Sequence, residues 1–398
     1  MNNFSLTLFL EINTTSYIFF VMQSDGQNNN EIVHKLEIPL EGIVNNRISD
    51  LEKVSDVIKK NVYITEQKLN YTFKEVVLIL ENLNPSFINL SGYKKLNGSQ
   101  ILRENITYIL NTLKSCVEET EPKKTILHIF NSRFYLDNKK VENLPIGLFG
   151  DFYSHELSFI LINTNDYKNL KSVFEKVNFK IKKILVKSFI KGVNLSNDYN
   201  NIDTFFQIKI SEKCTKIFYF ENNSLKFGQS FKFGTDIIIK DISKITSLDI
   251  DTVRIILDKT KLHNNISKDD LIEENLFKDI VYRKVKKRLI YEIALARIKE
   301  ISELILFKNT NLQHNKKNSK NIFLEANHSL FFKCFESIYK KTFTNNEEFD
   351  VRFINNLSSE ILLNTANELV HFGWKKEAIP ITQSKKSIIA RLFDTIFG

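Results

Sequence analysis

The residue types that carry covalent or metal chemistry are scattered along this chain. Seven histidines occur without HxxxH spacing, and Cys116, Cys214 and Cys334 lie far apart with no CxxC pair. That spacing offers no zinc site, no disulfide framework and no Cys/His nucleophile, and it suits a reducing cytoplasm. No serine sits in a nucleophile elbow. The acidic pairs Asp269–Asp270 and Glu273–Glu274 read as a helix start, where carboxylates favour the N-terminal end of the dipole. No catalytic set and no metal site emerge.

One spacing does carry binding chemistry. In SKKSIIARLFDTIFG, residues 384 to 398, the apolar residues Ile388, Ile389, Leu392, Phe393, Ile396 and Phe397 recur at steps of one and three. At about 100° per residue they cover roughly half of a helix circumference. Lys385, Lys386 and Arg391 add positive charge, and Pro380 separates the segment from what precedes it. This is the pattern of an amphipathic helix on a tether, able to lie in an anionic membrane interface. Six large side chains contribute roughly 1.5–3 kcal/mol each on burial, but folding the tail takes much of that back. A single copy therefore binds weakly, and an array of linked copies binds firmly.

With 42% hydrophobic residues over 398 positions, the chain can bury several cores and is expected to hold two to four domains. Its net charge of +9 is spread among acidic residues, except in the run Arg283, Lys284, Lys286, Lys287, Arg288 and in the loop 314–320. The mixture of Lys, Asn, Ile and Phe is what AT-rich coding produces, so no nucleic-acid partner is expected. The start, MNNFSLTLFLEIN, lacks a basic n-region, and no 18-residue apolar stretch occurs. The chain is expected to be neither secreted nor membrane-spanning.

The elements that must position these residues form two copies of one plan. LTLFLEI, a polar turn at Asn13 to Thr15, SYIFFVM and EIVHKLEI read as three strands, followed by a helix over about 49–69 and the strand EVVLILE. Near residue 205 the plan restarts with IKI, IFYF, SLKFGQSFKF and a helix from about Asp236. Such a duplication of whole domains predicts two sheet-and-helix halves. Between the copies, 84–98 reads as loop, 99–119 as helix, and TILHIF and ELSFILI as strands, giving an inserted α+β domain over roughly 84–163. A helix capped by Asn165 and the strand KILVKSF follow. Further on, 273–306 reads as one long helical region, NIFLEA as a strand, and 330–343 and 358–372 as helices.

The stretches LPIGLFG, ELSFILINTNDYKNLKSVFEKVNFKIKKILVKSF, SLKFGQSFKFGTDIIIKDIS and IYEIALARIKEI, with the amphipathic C-terminus, make the chain resemble the FtsA family, actin homologues of bacterial cell division. The resemblance implies an α/β actin-like, ribonuclease H-like duplicated ATPase fold with an inserted SHS2 domain. It implies subdomain 1A over 1–83 and 164–200, 1C over 84–163, 2A over 201–242 and 319–374, 2B over 243–318, and a linker with a membrane-targeting helix over 375–398. It also implies ATP and magnesium as cofactors, held by two hairpins. The positions that match are Glu11, Asn13 and Thr14 in the first, Lys209, Ser211 and Lys213 in the second, then Gly234, Glu292, Ala326 and Asn327. Here the expected glycines are replaced by Asn13, by Ser211, Glu212 and Lys213, and by Ala326 and Asn327, Lys209 stands at an acidic position, and Cys214 at a threonine. Side chains at positions where backbone must approach phosphate argue for a lost or remodelled pocket. In an alternative, Lys209 and Lys213 pair the phosphates directly.

The partners implied are the acidic C-terminal peptide of the tubulin-like FtsZ, taken by the basic run 283–288, anionic lipids of the inner membrane, other divisome proteins, and further copies in a filament. The expectation is a filament-forming scaffold on the inner face of the membrane at the division site. A nucleotide-regulated ATPase and a pilus-assembly adaptor of the same fold are the alternatives.

Overall fold

The computed structural model describes residues 5–24, 30–81, 84–199, 201–260, 266–277, 281–326, 335–347, 349–354 and 358–378. Contacts divide the chain into two units, the first holding 1–201, 221–227 and 358–398, the second 202–220 and 228–357.

Unit 1 is built on β1 (Ser5–Ile12), β2 (Ser16–Ser24) and β3 (Asn30–Pro39), an antiparallel meander. The short pair β4 (Ile43–Val44) and β5 (Arg47–Ile48) leads into α1 (Leu51–Leu69). Asp50 caps that helix by accepting from the Lys53 amide, and Val54, Ile58 and Val62 recur on its buried face. Next, β6 (Glu75–Leu80) pairs parallel with β1. An insertion follows: β7 (Ser86–Lys95), α2 (Arg103–Thr120), β8 (Lys124–Leu136), β9 (Lys139–Val141) and β10 (Phe152–Asn163). It forms its own antiparallel sheet in the order β7-β10-β8-β9. Then α3 (Thr164–Lys176) leads to β11 (Lys180–Val186), which completes the core sheet in the order β11-β6-β1-β2-β3, and to α4 (Lys187–Asp198).

Unit 2 repeats the plan. β12 (Phe205–Ile210), β13 (Thr215–Glu221) and β14 (Ser224–Phe231) precede α5 (Thr235–Thr246) and α6 (Ile250–Lys259). After α7 (Lys287–Ser302) come β15 (Asn321–Ala326), α8 (Glu336–Glu347) and β16 (Asp350–Ile354). The sheet order β14-β13-β12-β15-β16 mirrors the first, with β12, β15 and β16 parallel. The duplicated order in both units gives the actin-like fold expected from the sequence. The chain then returns to unit 1 as α9 (Ser359–His371).

Several elements differ from the sequence expectation. Residues 86–95, read as loop, are the strand β7, whose alternation is blurred by Asn89, Gly92 and the flanking lysines. Gly92 is needed there, because a Cβ would stand 2.6 Å from Ile109 of α2. The long helix expected from 273 begins only at Lys287. Before it, Glu274–Leu276 forms a 3-10 turn, and Ile272 N–H donates to Val285 O at 2.9 Å and Lys287 N–H to Asp270 O at 2.8 Å. α3 is capped by Asn163 rather than Asn165, and α4, α6 and β16 were not foreseen.

Turns rely on asparagine. Asn45, Asn46, Asn70, Asn97, Asn138, Asn178, Asn222 and Asn223 all have positive φ, as do Asp137 and Ser247. With only 11 glycines in the chain, the residue that best tolerates the left-handed region after glycine fills these corners.

In the inserted sheet, α2 lays Ile109, Leu110, Leu113 and Val117 over Ile129, Phe159 and Leu161. Phe159 is fully buried. A Phe159→Ala variant is expected to lose about 3–5 kcal/mol of stability, measured as a lower midpoint of urea unfolding.

Candidate functional site

In unit 1, the candidate residues lie where β1 turns into β2. Asn13 closes that turn on itself. Its N–H donates to Ser16 O at 3.1 Å, and its Oδ1 accepts from the amides of Thr15 at 2.8 Å and Ser16 at 2.7 Å. The Asn13 Nδ2 donates to Ser16 Oγ at 2.9 Å, and that hydroxyl donates on to Glu37 at 2.7 Å. With glycine at position 13 these two amides would have no side-chain acceptor and could face an anion. Here they are taken by a neutral amide in an Asx turn. Thr14 is exposed on the same turn.

Glu11, the last-but-one residue of β1, is 2% exposed. The parallel register pairs Glu11 with Ile79, so the end of β1 lies beside the end of β6 and close to Glu81. Between the two carboxylates sits Lys187, the first residue of α4. Its Nζ donates to Glu11 Oε1 at 2.6 Å and to Glu81 Oε2 at 3.1 Å. Burial opposes the lysine's charge, but Glu81 and Glu11 outweigh it and hold its pKa above the ordinary value. The acidic pair that could have supported a hydrated metal ion carries an ammonium from the chain itself.

In unit 2, β12 ends at Ile210 and the turn to β13 is closed by Ser211 N–H donating to Cys214 O at 2.9 Å. The carbonyls of that turn reach the start of α5. Thr235 N–H donates to Ser211 O at 3.1 Å, and Asp236 N–H to Glu212 O at 3.0 Å. A helix N-terminus attracts anions through such unsatisfied amides. Two of these are already occupied. Gly234 permits the contact, since a Cβ there would lie 2.1 Å from Ser211 O. The turn's Glu212 pairs with Arg254, and Asp236 at the helix start pairs with Lys240 at 2.7 Å.

The remaining predicted positions are dispersed. Lys209 and Ala326 lie on the paired strands β12 and β15, in the registers Lys209–Glu325 and Ile210–Ala326. Ala326 is buried. Lys213 is exposed. Glu292 pairs with Arg288 one turn away on α7 at 2.8 Å. Asn327 lies outside the described residues, as do Lys385, Lys386, Ile388, Ile389, Arg391, Leu392, Phe393, Ile396 and Phe397. In the basic run, Arg283 donates to Ser247 O at 3.1 Å, Lys286 pairs with Asp269 at 3.4 Å, and Lys287 with Glu273 at 3.2 Å. These exposed pairs are weak and exchangeable. Lys284 completes the run.

Lys187 and Glu81 escaped notice in the sequence. A lysine placed directly after a buried parallel strand, with acids ending its two neighbours, is the signal that would have found them. Among the described residues no group of His, Cys, Asp and Glu is arranged to hold a metal ion, and no helix is long and apolar enough to cross a membrane.

The duplicated sheets and hairpins define an actin-fold protein. Over 92% of this chain and 98% of the other, the structure is similar to that of the PilM-PilN type IV pilus biogenesis complex, with a TM-score of 0.50 and 10% identity. MreB5 of Spiroplasma citri bound to ADP is similar over 91% of this chain and 96% of its own, with a TM-score of 0.47 and 11% identity. In sequence, the chain is 22% identical over 241 residues to the cell division protein FtsA of Buchnera aphidicola subsp. Schizaphis graminum (strain Sg). That match takes in 61% of this chain and 57% of the relative, less than two thirds of the relative's length. No family model matches the chain. The chain thus has the actin fold and, over part of its length, is similar to FtsA.

Replacing Lys187 by Met leaves Glu11 and Glu81 facing each other with no cation. The Lys187→Met variant is expected to lose about 3–5 kcal/mol in equilibrium unfolding, and Lys187→Met/Glu11→Gln to recover part of it. Because the folded pKa of Lys187 is raised, its contribution is fully present below the ordinary lysine value of 10.5 and is lost as pH rises through the folded value. The wild-type chain should therefore lose stability relative to Lys187→Met above about pH 10.5.

Proposed function

We propose that this protein is a nucleotide-independent, actin-fold scaffold of bacterial cell division. It assembles on the inner face of the membrane through its C-terminal segment, joins further copies in filaments, and holds FtsZ filaments and other division proteins. The observation that carries the nucleotide-independent part is the internal saturation of both hairpins: Asn13 on the amides of Thr15 and Ser16, Lys187 between Glu11 and Glu81, and the 211–212 carbonyls on α5. The amides of Thr15, Ser16, Thr235 and Asp236 and the carboxylates of Glu11 and Glu81 thus have partners from the same unit. Lys209 and Lys213 could still draw a polyphosphate electrostatically, but with the Thr235 and Asp236 amides taken they lack the helix-start geometry that makes such binding selective.

Cell division is supported by the likeness to FtsA. Membrane attachment is supported by the sequence of residues 384–398, and capture of the acidic FtsZ tail by the basic run Arg283, Lys284, Lys286, Lys287 and Arg288. The exposed partners of that run, Asp269 and Glu273, would exchange for the acids of an incoming peptide at little cost.

Titrating the purified chain with magnesium-ATP by calorimetry tests the first part. No binding heat up to millimolar ATP is expected. Micromolar binding would overturn it in favour of a nucleotide-regulated ATPase. Co-flotation with vesicles containing anionic lipid tests the second part: the full chain should float and a chain ending at Gln383 should not. Equal flotation of both would sink the anchoring claim.

A further inference from the structure

Three separate stretches of unit 1 meet at one carboxylate. Lys183 lies on β11 of the core sheet, His128 on β8 of the inserted sheet, and Glu377 on the segment that follows α9. Glu377 is 2% exposed. Its Oε1 lies 3.1 Å from His128 Nδ1, and its Oε2 accepts from Lys183 Nζ at 3.1 Å. The same ammonium donates to Leu369 O of α9 at 2.9 Å. Burial alone would raise the pKa of Glu377, but the charge of Lys183 and the bond with His128 overcome this and hold it at about 2.

Backbone contacts fix the same segment. Asn131 N–H donates to Lys376 O at 2.7 Å, and Ala378 N–H to Ile129 O at 2.7 Å, so residues 376–378 lie as a short strand against β8. β9 pairs with β8 only from Phe134 to Leu136, and the segment takes the part of that edge which β9 leaves open. Three residues before Glu377, the indole of Trp374 is 8% exposed and donates to Asn223 O at 2.8 Å. Ala378 packs against the core of the inserted sheet.

We propose that residues 374–378 form a latch joining the inserted sheet to the core sheet of unit 1, with Glu377 as its bolt. The coupling follows from dehydration. A lone carboxylate is costly in this position, so Glu377 sits there only while Lys183 and His128 face it together. Withdrawing the segment leaves the buried Lys183 without its carboxylate and uncovers unpaired backbone groups of β8. The inserted sheet and the C-terminal segment therefore tighten or loosen as one, and a load on the chain beyond Ala378 acts first on this latch. The inference is independent of what the C-terminal segment binds.

Hydrogen exchange on the full chain tests it. In Glu377→Gln and in Trp374→Ala, exchange at Asn131, Ala378 and the amides of β8 and α2 should rise about tenfold or more, while β1 and β2 keep their wild-type rates. Unchanged exchange in β8 and α2 would overturn the latch. An equal rise in β1 and β2 would also overturn it, because the loss would then be global. Should Glu377→Gln fail to fold, Lys183→Met/Glu377→Met removes both buried charges and is read in the same way.

Discussion

Glu11 and Glu81 repel each other in a place that water hardly reaches, and the cation between them allows β1 and β6 to run side by side to their last residues. In this chain the cation is Lys187. At about 3 Å and an effective dielectric constant of about 20, each contact is worth about 5 kcal/mol, the same order as the dehydration of each ion. The pairing therefore nearly breaks even as a source of stability. Its importance is positional, since the start of α4 must return to the ends of the two strands. The same rule operates elsewhere in unit 1, where Arg133 and Lys226 neutralise Glu156 and Glu221 between them. There too the partners come from separate stretches of chain.

Much of the fold was legible because its signals were periodic. The runs LTLFLEI, SYIFFVM and EVVLILE, and their counterparts after residue 205, alternate or cluster apolar residues strongly enough to reveal the duplication. β7 was not legible, because Gly92 serves a contact with Ile109 that is distant in sequence. The start of α7 was misplaced because its register is settled by strand-like bonds between 270–272 and 285–287, which no local pattern displays. The absence of glycine from the two hairpins was visible at once. What filled the places was not, because Lys187 is far from Glu11 in sequence and reaches it only through the parallel pairing of β11, β6 and β1.

The site also shows how replacement of glycine differs from mere obstruction. A bulky side chain blocks a ligand by volume. Asn13 goes further, since its Oδ1 accepts from the Thr15 and Ser16 amides and leaves them no need of an external acceptor. The 211–212 carbonyls do the same for α5, through an approach so close that Gly234 must remain glycine. Glycine thus stands where backbone meets backbone of the same unit, at Gly234, and is absent from the β1–β2 and β12–β13 turns.

The asparagine-rich turns carry this further. A hairpin that needs a bound nucleotide to satisfy its amides gains part of its stability by mass action, so it melts more easily when the metabolite is scarce. A hairpin capped by its own asparagine has no such dependence. Turns such as those at Asn45–Asn46 and Asn222–Asn223 likewise take the left-handed region on asparagine. Under the nucleotide-independent reading proposed above, such hairpins would hold the same geometry whether the nucleotide is scarce or plentiful, and assembly would follow the abundance of the chain instead of the energy charge around it.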